Sequence, residues 1–110
     1  RLVYPNIPGT LQLDNDHVVV QRFVVRPGEW EGVHAHPGNQ LYVHVKGGRW
    51  AVRTGGRENV STSRTGSIGW YQAIPLSEQH QSGNAGDEPI EVDLEPLERS
   101  VQGDIDDVPY

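Results

Sequence analysis

Residues 28–47 read GEWEGVHAHPGNQLYVHVKG, and this stretch indicates both the architecture and the chemistry of the chain. Its His34 and His36 stand two residues apart, so on an extended strand both imidazoles leave the same face. From residue 40 onward polar and apolar residues alternate, which is the period of a half-buried strand. The stretch therefore predicts β structure that carries two histidines side by side.

The residues on either side continue the β pattern. Short runs rich in Val, Tyr, Trp and Thr are separated by Gly, Pro and Asn, and apolar residues do not recur at the helical period. Strands are predicted at residues 18–25, 40–45, 49–54, 70–73 and 90–94. Turn residues at 46–48 and 54–57 predict two consecutive hairpins. We expect one all-β sandwich or barrel domain over residues 1–110, with a loosely held acidic tail around residues 103–107.

The composition excludes several classes of function. The 110 residues carry 9 basic and 15 acidic side chains, and this net charge of −6 argues against nucleic acid or an anionic membrane surface as a partner. Cysteine is absent, which excludes disulfides and thiolate metal sites. No apolar run approaches the ~20 residues of a membrane-spanning helix, and no signal-like segment opens the chain, so we expect a cytoplasmic location.

A third histidine, His80, extends the chemistry of the His34–His36 pair. It lies far along the chain, and a fold that sets two strands side by side would bring it to the pair. Three neutral imidazoles that converge inside a β-barrel form a site for a first-row transition metal, with open positions for water or substrate. An isolated His-x-His pair would more often be a surface feature or a polar core feature.

The spacing of these residues resembles the two signature motifs of the cupin superfamily. The first motif, Gly, five residues, His-x-His, three residues, Glu, six residues, Gly, is matched by Gly28, His34, His36 and Gly47, with Gln40 at the Glu position. The second motif is matched by Gly69, Pro75, His80 and Asn84, with Ser77 where a second Gly is expected. The similarity spans about residues 17–98 and is closest to the small single-domain cupins of bacteria, the cupin type 2 conserved barrels.

This resemblance implies a double-stranded β-helix, or jelly-roll, barrel with a metal inside. Carried across position by position, it makes His34, His36 and His80 the imidazole ligands of one divalent transition metal, which would be Fe, Zn, Ni, Mn or Cu. Asn84 is expected to support a turn rather than to contact the metal.

The Glu-to-Gln departure at position 40 changes the charge of the implied site. A Glu ligand would neutralise half of a divalent ion, whereas Gln40 offers a neutral carbonyl oxygen. Three interpretations follow: Gln40 ligates weakly, it hydrogen-bonds a metal-bound water or substrate, or the metal has been lost and the cavity kept for binding.

The alternation of residues 40–45 bears on both catalysis and assembly. If Gln40 faces the interior, Tyr42 and His44 do so too, and we predict these two as candidates for moving a proton. A core role for His44, satisfied by Tyr42 or a backbone carbonyl, is the alternative. The apolar row then points outward, where a second copy would cover it, so a homodimer is expected. The competing account is that the N-terminal segment, residues 1–13, folds back over its own sheet and leaves a monomer. That outward row comprises Leu41, Val43 and Val45. The opposite assignment of the two faces would bury this row instead.

Three functions remain compatible with the sequence. The first is a metal-dependent enzyme acting on a small organic molecule, either a three-His dioxygenase or a redox-neutral isomerase or lyase. The second is a non-catalytic module that binds or senses a small molecule. The third is a structural cupin with a degraded site, which the three intact histidines disfavour.

Overall fold

The computed structural model describes residues 3–36, 38–74 and 76–96, and these form eight β-strands and one 3₁₀ turn. The strands are β1 Thr10–Asp14, β2 Val19–Val25, β3 Gln40–Lys46, β4 Gly48–Thr54, β5 Arg57–Ser63, β6 Ile68–Tyr71, β7 His80–Asn84 and β8 Ile90–Pro96, with the 3₁₀ turn at Leu76–Glu78. The all-β class expected from the sequence is confirmed.

Two antiparallel sheets make up the fold. One has five strands in the order β1-β2-β8-β3-β6, and the other has three in the order β5-β4-β7. Neighbours in each sheet are mostly distant in sequence: β2 pairs with β8, and β4 pairs with β7. This non-local pairing brings the two histidine motifs together.

The core lies on the inner face of the five-stranded sheet and is closed by β4. Buried and half-buried residues alternate strictly along β2 and β8, as expected for a sheet that packs one face on the core. Phe23, Val25 and Ile90 are fully buried at the centre of this cluster. The N-terminal segment joins the same cluster, since Tyr4 packs edge-on against Phe23 at a ring-centroid distance of 4.8 Å.

The strand predictions are confirmed for β2, β3, β4 and β8, and the strand predicted at residues 70–73 lies at Ile68–Tyr71. The sequence pattern does not reveal β1, β5 and β7. In β1 every residue is exposed, and in β5 all but the last are, so neither strand shows the alternation that marks a packed face.

One of the two predicted hairpins is wrong. The turn at 54–57 does join the paired strands β4 and β5. The turn at 46–48 instead passes from one sheet to the other, since β3 and β4 lie in different sheets. A side chain at Gly47 would collide with the Ser63 carbonyl oxygen, so this crossing requires glycine.

The N-terminal segment packs on its own domain. Tyr4 and Ile7 are buried, and β1 extends the five-stranded sheet beyond β2. The acidic tail predicted around residues 103–107 lies outside the described residues. No helix among the described residues is long and apolar enough to cross a membrane.

Candidate metal centre

The backbone joins the two histidine motifs directly. His34 and His80 form an antiparallel bridge, in which each backbone N–H donates to the other's carbonyl at 2.8 Å. A second bridge joins His36 to Ile74, with hydrogen bonds of 3.1 and 2.8 Å. The segment that follows β2 is thus fixed against β7 and the loop before it. This pairing brings together the three histidines that the motif spacing selects.

The imidazoles of His34, His36 and His80 offer ligand nitrogens that all lie within 4.8 Å of one another. The Nε2 atoms of His34 and His80 are 3.2 Å apart. Two nitrogens that each bind one ion at about 2.0–2.1 Å lie about 2.8–3.4 Å apart in octahedral or tetrahedral geometry. The observed separation fits a shared first-row metal ion.

Backbone carbonyls orient two of the rings. The Nδ1 atom of His34 lies 2.7 Å from the Gly32 carbonyl oxygen, and that of His36 lies 3.3 Å from the Gly38 carbonyl oxygen. A carbonyl oxygen only accepts, so Nδ1 donates and the lone pair resides on Nε2. Hydrogen bonds of this kind fix the tautomer of metal-ligating histidines.

The surroundings of His34 and His80 favour their neutral forms. Burial lowers the pKa of His80 to about 4, and the neighbouring His34 and His36 contribute to this lowering. Burial also lowers the pKa of His34. A histidine must be neutral to bind a metal, so these two rings are in the binding form at neutral pH.

The three histidines line a small interior cavity of about 10 Å³. Its walls are Tyr4, Glu31, His34, His36, Gln40, Trp50, Tyr71, His80, Ser82, Val92 and Leu94. A space of this size holds roughly one water molecule. A more open depression of about 380 Å³ shares His36, Tyr71, His80 and Ser82 with the cavity. An ion fits inside, and an organic molecule fits in the depression next to it.

Gln40 faces this cavity and is fully buried, with 0% of its surface exposed. Neither its Oε1 nor its Nε2 atom has a hydrogen-bond partner. An unsatisfied buried polar group costs about 1–3 kcal/mol, so the amide is placed for a partner that binds in the cavity. This feature and the all-imidazole donor set both fit a metal with a bound water or ligand.

Tyr42 and His44 point inward along β3, where Tyr42 is half-buried and His44 is buried. Neither is among the described residues that line the cavity or the depression. His44 is 2% exposed, packs edge-on against Trp50 and Tyr42, and has no partner for Nδ1. Burial lowers its pKa. The catalytic role of Tyr42 and His44 stays a prediction.

Trp50 and Trp70 differ in their position relative to the cavity, and Asn84 has the role expected from the sequence. Trp50 lines the cavity, whereas Trp70 is 50% exposed and is not among the described lining residues. The side chain of Asn84 donates to the carbonyls of Val25 and Glu88, so it supports the turn after β7, as expected.

Glu31 is a site residue that the sequence pattern does not reveal. It lines the cavity and is 4% exposed. Burial raises the pKa of its carboxyl to about 8, and hydrogen bonds with the side chain and backbone of Ser82 partly oppose this rise. In the sequence Glu31 lies in a Gly- and Trp-containing stretch in which polar and apolar residues do not alternate. A charged residue in such a stretch is normally exposed to solvent, so its burial is not predicted.

The comparisons with known proteins agree with this architecture. A scan against protein-family models finds no match, and a search of curated proteins finds none. Among solved structures, a cupin domain from Bordetella pertussis superposes with a TM-score of 0.71 at 21% identity, covering 87% of this chain and 97% of its own.

Two further solved structures superpose in the same way. An uncharacterized conserved protein with a double-stranded β-helix domain from Klebsiella pneumoniae gives a TM-score of 0.60 at 22% identity, covering 87% of this chain and 81% of its own. A predicted oxalate decarboxylase from Thermotoga maritima gives 0.59 at 18% identity, covering 81% of this chain and 77% of its own. The chain therefore has the double-stranded β-helix fold of the cupins.

Proposed function

We propose that this protein is a metal-dependent enzyme that acts on a small organic molecule. His34, His36 and His80 would hold one divalent first-row ion. The observation that carries the proposal is the convergence of three imidazoles, two of them 3.2 Å apart at Nε2, beside a depression large enough for a substrate.

When bound, such an ion supplies Lewis-acid polarisation of a substrate oxygen, and iron adds reactivity toward dioxygen. The chain's own residues would bind and orient the substrate and would exclude water from the cavity. Gln40 is free to hydrogen-bond an atom in the cavity. Tyr71 lines both cavity and depression, and burial raises the pKa of its phenol, so the hydroxyl keeps its proton and donates. Val92 and Leu94 close the floor against water.

The donor set favours a substrate with anionic or carbonyl oxygens. Three imidazoles and one amide leave the charge of a divalent ion uncompensated, so oxygen ligands with negative charge bind well. Both reaction classes expected from the sequence use such substrates: a three-His dioxygenase and a redox-neutral isomerase or lyase. The fold neighbour described as a predicted oxalate decarboxylase is consistent with small oxygen-rich substrates.

A substrate screen tests this proposal. Protein loaded separately with Fe²⁺, Mn²⁺, Ni²⁺ and Zn²⁺ is offered diketones, phenols, thiols and small carboxylates. Oxygen uptake reports a dioxygenase, and product analysis without oxygen reports an isomerase or lyase. Turnover that His36→Ala abolishes supports the enzyme. Binding of these compounds without any turnover contradicts it and favours the binding or sensing module.

We also infer that two copies pair through the outer face of the five-stranded sheet. Leu41 and Val43 are opposite Trp70 and Ile68 in the β3–β6 register, so these four side chains share that face. Ile68 is 68% exposed and Trp70 is 50% exposed. These four side chains form an apolar patch, bordered on β8 by Glu95 and Asp93. An exposed apolar patch is typical of a homodimer interface.

A further inference from the structure

The cavity wall contains a carboxyl group that the three-His centre does not explain. Glu31 is the one buried acidic side chain among the described residues. It shares the cavity with the three histidines and Gln40. Its carboxyl does not belong to the group of ligand atoms that lie within 4.8 Å of one another. The Glu31 carboxyl therefore lines the cavity without belonging to the group of three histidine ligands.

The backbone of Glu31 is held on both sides. Its N–H donates to the Ser82 carbonyl at 2.8 Å, and its own carbonyl accepts from the Asn6 N–H at 3.0 Å. The next residue, Gly32, has φ of +93°, and a side chain there would collide with the ring of Pro5. The segment is thus fixed between the N-terminal segment and β7, which fixes the origin of the Glu31 side chain beside the cavity.

A buried carboxyl in this position is costly unless a cation faces it. No salt bridge joins Glu31 to another described residue, and its hydrogen-bond partner is the neutral Ser82. A glutamine could keep such contacts without burying an ionisable group. The choice of an acid is explained by a positive charge inside the cavity, and the imidazoles of His34 and His80, whose neutral forms burial favours, do not supply one.

We propose that Glu31 is the carboxylate of this metal centre: it supplies the negative charge that Gln40 lacks and accepts a hydrogen bond from the water or substrate bound to the ion. This inference rests on the proposed metal-dependent function. The cupin motif places a Glu after the two histidines, at the position that Gln40 occupies. In this chain the carboxylate would instead come from before the two histidines, nine positions ahead of Gln40. Glu31 would contact the water or substrate and would not ligate the ion itself.

The test compares the affinity of metal-free protein for Zn²⁺ and Co²⁺, measured by chelator competition, in matched variants. Glu31→Gln keeps the shape and removes the charge, and it should weaken binding about 10–100-fold, as loss of an outer partner does at other metal sites. The visible absorption bands of the Co²⁺ form should shift. Glu29→Gln is the control, because Glu29 lies two residues earlier, pairs with Arg26 and is partly exposed.

The outcomes separate the two proposals. Equal affinities and spectra for Glu31→Gln and the wild type overturn the role of Glu31 and leave the three-His centre standing. Failure of the wild type to bind either ion overturns both. If Glu31→Gln does not fold, Glu31→Ala replaces it: binding about 10–100-fold weaker than in the wild type supports the proposal, and wild-type affinity overturns it.

Discussion

Gln40 sets the charge of the proposed centre at the level of a single residue. Its amide is fully buried and both of its polar atoms lack a hydrogen-bond partner. The desolvation cost of the amide is therefore offset only when a ligand in the cavity forms a hydrogen bond with it. Glutamine at this place keeps the ligand set neutral and leaves the negative charge to Glu31. The two residues together therefore determine how much positive charge a bound substrate meets.

Gln40→Glu tests this division of charge. The added anionic oxygen should tighten Zn²⁺ binding at least about tenfold and should change or abolish turnover, because the net charge of the centre falls by one. Chelator competition measures the affinity. Gln12→Glu, on the exposed strand β1, is the matched control and should bind Zn²⁺ like the wild type. Unchanged affinity in Gln40→Glu would place this side chain out of contact with the metal and its ligands.

At the level of elements, β7 and the segment after β2 act as one unit that holds the histidines. Trp30 bridges to Gly83 in the sheet, and its indole lies over that glycine. A Cβ at Gly83 would lie 2.5 Å from the Trp30 ring and 2.7 Å from the Glu29 carbonyl oxygen. Glycine allows the segment to approach β7 closely, and this approach sets the position of His34 against His80.

Gly83→Ala should therefore separate these two elements. We expect a loss of about 1–3 kcal/mol in the free energy of unfolding, as for other overpacked sites, and weaker metal binding by the folded fraction. Thermal melting of the metal-free protein and Zn²⁺ titration measure the two effects. Gly86→Ala is the control, because its new methyl group would meet no atom closer than 3.3 Å. Full stability and affinity in Gly83→Ala would show that the close approach is dispensable.

The strands that can be predicted from sequence are those with one packed face. In β2 and β8 alternate residues are buried, and this alternation is visible in the order of residues alone. The exposed strands β1 and β5 are defined by backbone pairing, which leaves no pattern in their side chains. The turn at Gly47 resembles a hairpin because local turn chemistry does not reveal which sheet the following strand joins.

The residues of the candidate site also differ in whether the sequence predicts them. Sequence spacing alone identifies four of the site residues, because their positions match the family motifs: His34, His36, His80 and Gln40. Glu31 cannot be selected in this way, since its burial depends on contacts with β7 and the N-terminal segment that are 25 or more residues away in sequence. Tyr42 and His44 are not among the described residues that line the cavity, and alternation does not reveal this because it predicts only which face a residue lies on.

At the level of the whole molecule, the outer face of the five-stranded sheet predicts dimerisation. The wild type should scatter light as a particle of about twice the 12.2 kDa chain mass. Ile68→Asp and Val43→Asp place charges on this face and should give monomers that stay folded, because the first position is 68% exposed and the second is half-buried. Val60→Asp, on the other sheet and 40% exposed, should remain a dimer. A monomeric wild type would contradict this assembly.

The central claim is that His34, His36 and His80 together bind one divalent metal ion. Elemental analysis of protein purified without chelators, and again after reconstitution with Fe²⁺ or Zn²⁺, tests it most directly. We expect about one ion per chain in the wild type and in His17→Ala, whose histidine is exposed before β2, and almost none in His36→Ala. A wild type that holds no metal after reconstitution, or a His36→Ala variant that retains it fully, would contradict the account.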